Sequence, residues 1–275
     1  MAQQTQVARA TEFYHRWMKK FPSIRSLASA TKRDVLIEWN GLGYNRRALY
    51  LREAARIIVD RHHGKIPASF LELRALPGVG DYTANAILCF AYHERRAMLE
   101  VNIRRVISRL FWRMKRHDHV QKETLLEKKA EEILPRRKYY DWNQALMDFG
   151  NLVCTKANPK CDACPLAPLC ASSSTLSDRT IVRSKKNNPQ LIPRRIFRGK
   201  IISMLRASDR KNHLTISDIQ ANLVGIFSVR NDTNLIDILK TLEHDGMIDA
   251  FLGKKKIALN QFLGDASLLR FSLAE

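Results

Sequence analysis

The stretch LPGVGDYTANAI, residues 76–87, decides the fold of this chain. A helix is predicted to end just before a tight turn at Gly78, and the next helix to begin at Asp81 or Thr83. Gly80 has no side chain, so the backbone can approach a ligand closely there. Because the N–H groups at a helix N-terminus attract phosphate, this helix-hairpin-helix segment is predicted to hold a nucleic-acid backbone. A plain pair of packed helices is the alternative.

The charge of the chain supports a polyanionic partner. Its 275 residues include 47 Lys and Arg against 27 Asp and Glu, a net charge of +20. Such an excess attracts nucleic acid because binding releases counterions condensed on the phosphates, although a solvated basic surface is the alternative. The longest apolar runs are too short to span a bilayer, and no secretory signal is visible. We therefore expect a cytoplasmic protein, nucleoid-associated in a prokaryote, that does not contact a membrane.

The character of the sequence changes twice along the chain. Apolar residues recur every three or four positions through residues 1–150, which predicts a mainly α-helical domain. Residues 171–197 are rich in Lys, Arg and Ser, and we expect a basic linker that follows a phosphate backbone or serves as a spacer. Residues 198–275 combine three predicted helices with a hairpin about GKKK, a winged-helix-like pattern. This last unit is expected either to bind DNA or to serve packing or dimerisation.

Four of the five cysteines crowd into CTKANPKCDACPLAPLC, residues 154–170. In a reducing compartment such a cluster indicates a metal site rather than disulfides. Four thiolates can hold Zn²⁺ or a [4Fe–4S] cluster, and the residues alone leave both open. The fifth, Cys89, is interpreted as a small buried apolar residue. The predicted ligands are Cys154, Cys161, Cys164 and Cys170.

A carboxylate precedes the basic amphipathic segment LEVNIRRVISRLF, residues 99–111. Glu100 stands at the predicted start of this helix. A carboxylate there is either a favourable helix cap or a group with a chemical role, and the residues alone do not decide between the two.

Four segments occur in one order and at defined distances. They are LPGVGDYTANAILCFAY (76–92), LEVNIRRVISR (99–109), WNQALMDFGNLVC (142–154) and the C-x6-C-x2-C-x5-C loop. Together they resemble the helix-hairpin-helix DNA glycosylase superfamily, which includes endonuclease III and the MutY adenine glycosylases. The resemblance covers residues 1–170 and implies two helical lobes around a DNA cleft, with the target base flipped out of the duplex. It also implies a [4Fe–4S] cluster on the four cysteines, and double-stranded DNA containing a mismatch or an oxidised base as the partner of a monomeric enzyme.

Further residues resemble the adenine-specific branch. Tyr82 stands where bifunctional members carry a lysine, which implies a monofunctional glycosylase. The segments QQTQV (3–7) and GLGY (41–44) resemble the duplex wedge and the reader of the opposite base in adenine glycosylases. The implied substrate is adenine opposite 8-oxoguanine or guanine, with a thymine or uracil mismatch glycosylase as the alternative. The implied DNA contacts are Gln3, Gln4, Thr5, Tyr44, Gly78, Gly80 and Asn102.

The residues at and after Glu100 differ in detail from those of this family. Cleavage of an N-glycosidic bond creates a sugar cation that a carboxylate must stabilise, and the resemblance gives that role to Glu100, with Tyr82 beside it. The family has Asp-Gly-Asn where this chain has Glu100, Val101 and Asn102. The longer side chain shifts the carboxylate by about 1 Å, and a misplacement of that size can cost about a hundredfold in rate.

Two further expectations concern the amino-terminal and carboxy-terminal parts of the chain. The glutamate that acts as the acid in adenine glycosylases would lie two residues before Met1, so the sequence predicts either a start assigned at an internal methionine or an inactive iron–sulfur DNA-binding protein. The carboxy-terminal unit does not resemble the Nudix-like domain that recognises 8-oxoguanine in better-known adenine glycosylases.

Overall fold

A computed structural model of the protein describes residues 7–113, 122–177, 193–208, 213–224, 235–262 and 264–275. The predicted wedge residues Gln3, Gln4 and Thr5 lie outside these ranges, as does the centre of the predicted linker, 178–192. The chain forms two compact units. The first combines Met1–Ile66 with Lys185–Glu275, and the second is Pro67–Ser184. The domains predicted from the sequence, 1–170, 171–197 and 198–275, are each continuous along the chain, and their bounds stay a prediction.

Helices dominate the described residues. In chain order they are α1 (Val7–Lys20), α2 (Ile24–Ser29), α3 (Lys32–Glu38), α4 (Arg46–His62), α5 (Phe70–Arg74), α6 (Asp81–Phe90), α7 (Val101–Phe111), α8 (Glu123–Ile133), α9 (Tyr139–Leu152), α10 (Ser173–Ser177), α11 (Arg194–Ala207), α12 (Ile216–Val224) and α13 (Leu235–His244). The strands are β1 (Leu214–Thr215), β2 (Ile248–Leu252), β3 (Lys255–Ile257) and β4 (Leu269–Leu273).

The amino-terminal part of the first unit packs around two tryptophans. Trp17 and Trp39 are buried, and their rings meet edge to face with centroids 5.3 Å apart. Hydroxyl side chains begin the two short helices: Ser23 accepts the Ser26 N–H at the start of α2, and Thr31 accepts the Asp34 N–H at the start of α3.

The carboxy-terminal part of the first unit is a small antiparallel sheet with three helices. The strand order is β1-β4-β2-β3, and the β2–β3 hairpin turns at Gly253, whose φ of +62° suits glycine. Its apolar core includes Ile201, Leu239 and Phe271, and the α3 residue Leu36 is buried in the same core. This part therefore packs on the amino-terminal helices of its own unit.

The second unit brings α7 and α9 into close contact. Gly150 of α9 faces Asn102 of α7, and a Cβ on Gly150 would lie 2.7 Å from the Asn102 Cβ. A core that includes Cys89, Ile103 and Leu126 holds the unit together, and burial of Cys89 agrees with its interpretation as a small apolar residue.

The prediction of a mainly helical fold is confirmed. Ser69 precedes α5 without a side-chain capping hydrogen bond. No helix in the described ranges is long and apolar enough to cross a membrane.

Candidate active site

The predicted hairpin is present between α5 and α6. The turn closes with a hydrogen bond from the Val79 N–H to the Leu76 carbonyl, and Gly78 takes a φ of +77° that favours glycine. Gly80 caps α6 without a side chain, and a Cβ placed there would meet no atom within 4 Å. The backbone at the start of α6 thus faces open space, as a phosphate contact requires.

Glu100 is held in place by the start of α7. Its Oε1 accepts the backbone N–H groups of Asn102 at 2.7 Å and Ile103 at 2.8 Å, and its Oε2 accepts the Asn102 Nδ2 at 3.2 Å. The N-terminus of α7 supplies the positive end of a helix dipole to this carboxylate. The cap and the chemical role considered for Glu100 are therefore compatible, because capping fixes the position of the charge.

Tyr82 shares the environment of Glu100. Burial raises the pKa of Tyr82 above its ordinary value of 10.0, and the negative charge of Glu100 raises it further. The phenol is therefore neutral, and its oxygen lies 3.7 Å from the Met147 Sδ. The hairpin helix α6 and the cap of α7 bring these two predicted site residues together.

Arg105 links the capped carboxylate to α9 and to the cysteine segment. Its Nη2 donates to the Asn102 Oδ1 at 2.7 Å and to the Gly150 carbonyl at 2.6 Å, and its Nε donates to the Cys154 carbonyl at 2.8 Å. The Asn102 amide thus donates to Glu100 and accepts from Arg105. Sequence reasoning missed Arg105 and Gly150, because both act through contacts that are distant in sequence.

The cysteine segment closes on α7 through a second arginine. Arg109 Nη1 donates to the Thr155 carbonyl at 2.7 Å and lies 3.5 Å from the Cys154 Sγ, while Nη2 donates to the Lys156 carbonyl at 3.0 Å. The spacing of Asn102, Arg105 and Arg109 places them on one face of a helix. Sequence reasoning also missed Arg109, and this spacing was the signal in the sequence that could have found Arg105 and Arg109.

The four predicted ligands line one small cavity that is partly open to solvent. Burial raises the pKa of the Cys170 thiol, and the nearby sulfurs of Cys154 and Cys164 act in the same direction. None of these four cysteines forms a disulfide. Within the described ranges, no three His, Cys, Asp or Glu side chains form a group that could hold a metal ion. The four predicted ligands, Cys154, Cys161, Cys164 and Cys170, therefore share one cavity, and a cofactor bound to them stays a prediction.

Tyr44 belongs to the first unit, in the loop 40–45. Its backbone is left-handed, with φ 46°, and its side chain is 60% exposed. A left-handed conformation is costly outside glycine and persists where neighbours enforce it. Arg47 lies over the Tyr44 ring, and the Trp39 Nε1 donates to the Gly43 carbonyl at 2.9 Å.

The second unit therefore contains Tyr82, Glu100, Asn102, both hairpin glycines and the four cysteines, while Tyr44 stands in the first. The profile of the HhH-GPD superfamily of base excision DNA repair proteins matches residues 1–135.

The curated relatives and the solved structures to which the chain is similar also include DNA glycosylases. The chain is 37% identical over 195 residues to an adenine DNA glycosylase of Buchnera aphidicola subsp. Baizongia pistaciae, covering 70% of this chain and 54% of that protein. It is 33% identical over 216 residues to the adenine DNA glycosylase of Mycobacterium tuberculosis, covering 76% and 68%. A thermostable thymine-DNA glycosylase of known structure is 30% identical, with a TM-score of 0.55 over 59% of this chain and 75% of that chain.

The protein belongs to the HhH-GPD superfamily of base excision DNA repair proteins. The predicted resemblance is confirmed. The chain spans about half of the length of the Buchnera relative and about two thirds of the mycobacterial one.

Proposed function

We propose that this protein is a monofunctional DNA glycosylase that removes adenine opposite 8-oxoguanine or guanine. The observation that carries the proposal is the Glu100 carboxylate, fixed at the N-terminus of α7 beside the neutral phenol of Tyr82. The curated relatives named above are adenine DNA glycosylases, and the net charge of +20 suits a nucleic-acid substrate.

The reaction requires stabilisation of a positive charge. As the bond between adenine and C1′ lengthens, the sugar gains oxocarbenium character and the base leaves. Glu100 supplies the opposing charge. Its Oε1 is fixed by two backbone N–H groups, and its Oε2 keeps lone pairs that can face the sugar. A carboxylate already fixed in position needs little reorganisation in the transition state.

Asn102 orients this carboxylate, and Tyr82 stands near it. Asn102 donates to Oε2 and is itself held by Arg105, so the carboxylate has a second layer of support. Tyr82 places a neutral hydroxyl group, and not an amine, at the site. A Schiff base with the sugar needs an amine nucleophile, which supports a glycosylase without strong lyase activity. Gly78, Gly80 and Tyr44 are proposed to contact the DNA, together with Gln3, Gln4 and Thr5.

We propose a [4Fe–4S] cluster on Cys154, Cys161, Cys164 and Cys170. The single cavity that these residues share, and their C-x6-C-x2-C-x5-C spacing, support it. A bound cluster would cross-link the segment 154–170. Arg105 and Arg109 attach that segment to α7 through the carbonyls of Cys154, Thr155 and Lys156.

The carboxy-terminal part is proposed to be a winged-helix-like module with a packing role. Its three helices and its β2–β3 hairpin follow the winged-helix pattern, and its core continues into Leu36 of α3. This continuity supports packing over base reading. We propose a monomeric enzyme that acts on double-stranded DNA in the cytoplasm.

A thymine or uracil mismatch glycosylase is the second candidate. The similarity to a thymine-DNA glycosylase of known structure, at 30% identity, favours it. The adenine assignment is supported by the relatives named above and by the GLGY segment.

A panel of end-labelled duplexes distinguishes these functions. The purified chain is incubated with duplexes containing A:8-oxoguanine, A:G, T:G, U:G and A:T pairs, and the abasic product is revealed by alkali. Cleavage at the adenine of A:8-oxoguanine and A:G duplexes is expected, from the chain as it stands or after a glutamate is restored two residues before Met1. Product from T:G or U:G duplexes alone would replace the adenine assignment with the second candidate. Binding of the duplexes without product, even with that glutamate restored, would indicate an inactive DNA-binding protein.

A further inference from the structure

The loop 40–45 is attached at both ends to one side chain of the carboxy-terminal part. Arg206 of α11 donates from Nη1 to the Asn40 Oδ1 at 2.9 Å and from Nη2 to the Asn45 Oδ1 at 2.8 Å. Its Nε donates to the Leu36 carbonyl near the end of α3 at 2.9 Å. One guanidinium therefore joins the two residues that flank Gly41–Tyr44 and the helix before them.

This arrangement uses the particular shape of arginine. Each of the three nitrogens of Arg206 donates to a different neutral acceptor, and a lysine ammonium cannot reach three acceptors spread along one plane. The Arg206 side chain is partly buried, and this burial lowers its pKa to about 10. Hydrogen bonds in such a place restrain their partners more strongly than bonds at the surface do.

The loop between the two asparagines needs this restraint. Gly41, Gly43 and Tyr44 all have positive φ, of 91°, 68° and 46°. For Tyr44 this conformation is strained, so its surroundings must hold it. Arg9 donates to the Gly41 carbonyl at 2.8 Å and Trp39 to the Gly43 carbonyl, and these bonds hold the middle of the loop. At its ends, Arg16 donates to the Asn40 carbonyl at 3.3 Å, and Arg206 binds the side chains of both asparagines.

We propose that Arg206 is a positioning residue that fixes both ends of the Tyr44 loop, so that discrimination of the base pair by Tyr44 depends on α11 of the carboxy-terminal part. The second half of this statement rests on the proposed function. The first half concerns the loop alone and can be tested without DNA.

Arg33 provides a matched control. It is a buried arginine of α3, 6% exposed, and its Nη2 donates to the Ser208 carbonyl just beyond α11 at 2.8 Å. Arg33 therefore joins the same two parts of the unit without bonding to the loop. A change that acts through general loosening of this packing should appear in both Arg33→Lys and Arg206→Lys.

Hydrogen exchange of the full chain without DNA tests the first half. The amides of Leu42 in the loop and of Arg47 just after it donate to the carbonyls of Trp39 and Tyr44. We expect Arg206→Lys to speed their exchange about tenfold or more, with Arg33→Lys close to the wild type. Asn40→Ala with Asn45→Ala removes the same bonds from the loop side and should give the same result, even if Arg206→Lys does not fold. Unchanged exchange in the double asparagine variant, or equal effects of both lysine variants, would overturn the proposal.

Binding of duplexes with a non-cleavable adenine analogue tests the second half. Arg206→Lys is expected to reduce the ratio of affinities for A:8-oxoguanine over undamaged DNA about tenfold, and to add little in a Tyr44→Ala background because the two residues act as one unit. An unchanged ratio together with faster loop exchange would contradict the coupling to discrimination and leave the positioning role standing. Absence of any preference in the wild type would instead contradict the proposed function.

Discussion

At the scale of single residues, Glu100 shows how a structural and a chemical role coincide. Asp, Asn, Ser and Thr are preferred helix caps because their short side chains reach the first N–H groups. Glu100 reaches two of these groups despite its extra methylene. The cap is thus preserved in a longer residue, and the carboxylate remains at the start of α7.

Tyr82 gives a prediction about stability at alkaline pH. The folded protein raises the pKa of this phenol above 10.0, so the folded state holds the proton more tightly than the unfolded chain. The stability linked to this group is complete below the unfolded pKa and is lost as pH rises through the folded pKa.

We therefore expect the free energy of unfolding of the wild type to fall more steeply than that of Tyr82→Phe between about pH 9 and about pH 11. Denaturant melts at several pH values measure this difference. The contributions of the other tyrosines and of the lysines are the same in both proteins and therefore cancel. Parallel pH profiles for the two proteins would show that Tyr82 does not have the environment described above.

At the scale of elements, the contact between α7 and α9 depends on one glycine. A side chain at Gly150 would meet the Asn102 Cβ at 2.7 Å and the Asn102 carbonyl oxygen at 3.1 Å. Both helices would have to move apart, and Asn102 would lose its position under Glu100.

We expect Gly150→Ala to lower the free energy of unfolding by about 1–3 kcal/mol, as overpacking does, and to slow base excision. Gly199→Ala is the matched control, because Gly199 is exposed in α11 and a Cβ there meets no atom within 4 Å. This control should be stabilised by about 0.5–1 kcal/mol through helix propensity. Equal stability of the two variants in urea melts would contradict the close contact.

The sequence predicted the elements that depend on local signals. The turn at Gly78, the start of α6 and the cap at Glu100 are encoded within a few residues, and all three are present. The bonds of Arg105 to Gly150 and of Arg206 to Leu36 join residues 45 and 170 positions apart. The periodicity of apolar residues does not predict which distant residues bond to each other, because these pairs depend on how the helices pack.

At the scale of the whole molecule, packing also sets the organisation of the chain. Residues 198–275 read as a separate unit in sequence because composition changes before them. In the structure their core includes Leu36 of α3, and Arg46 of α4 pairs with Asp245 at 3.2 Å. Sequence continuity and compactness are different properties, and the first alone is visible in composition.

The cysteine segment gives a prediction for the purified protein. We expect a brown protein with about four iron and four sulfide ions per chain, as a [4Fe–4S] cluster requires. Cys164→Ser should lose most of the iron, whereas Cys89→Ser should keep it, since Cys89 is buried in another core beside Asn143. Iron and sulfide analysis with visible spectra measures this. A colourless wild type with stoichiometric zinc would contradict the cluster.

The central claim is that the Glu100 carboxylate stabilises the sugar cation during adenine excision. Glu100→Gln keeps the shape of the side chain and removes the charge, and Glu100→Asp keeps the charge. Single-turnover excision from an A:8-oxoguanine duplex, with duplex affinity measured in parallel, tests this claim directly. We predict a loss of about a hundredfold or more in rate for Glu100→Gln, little change in its affinity, and a rate for Glu100→Asp at or above that of the wild type. A Glu100→Gln rate within about threefold of the wild type, a change of about 0.7 kcal/mol in the barrier, would contradict the account.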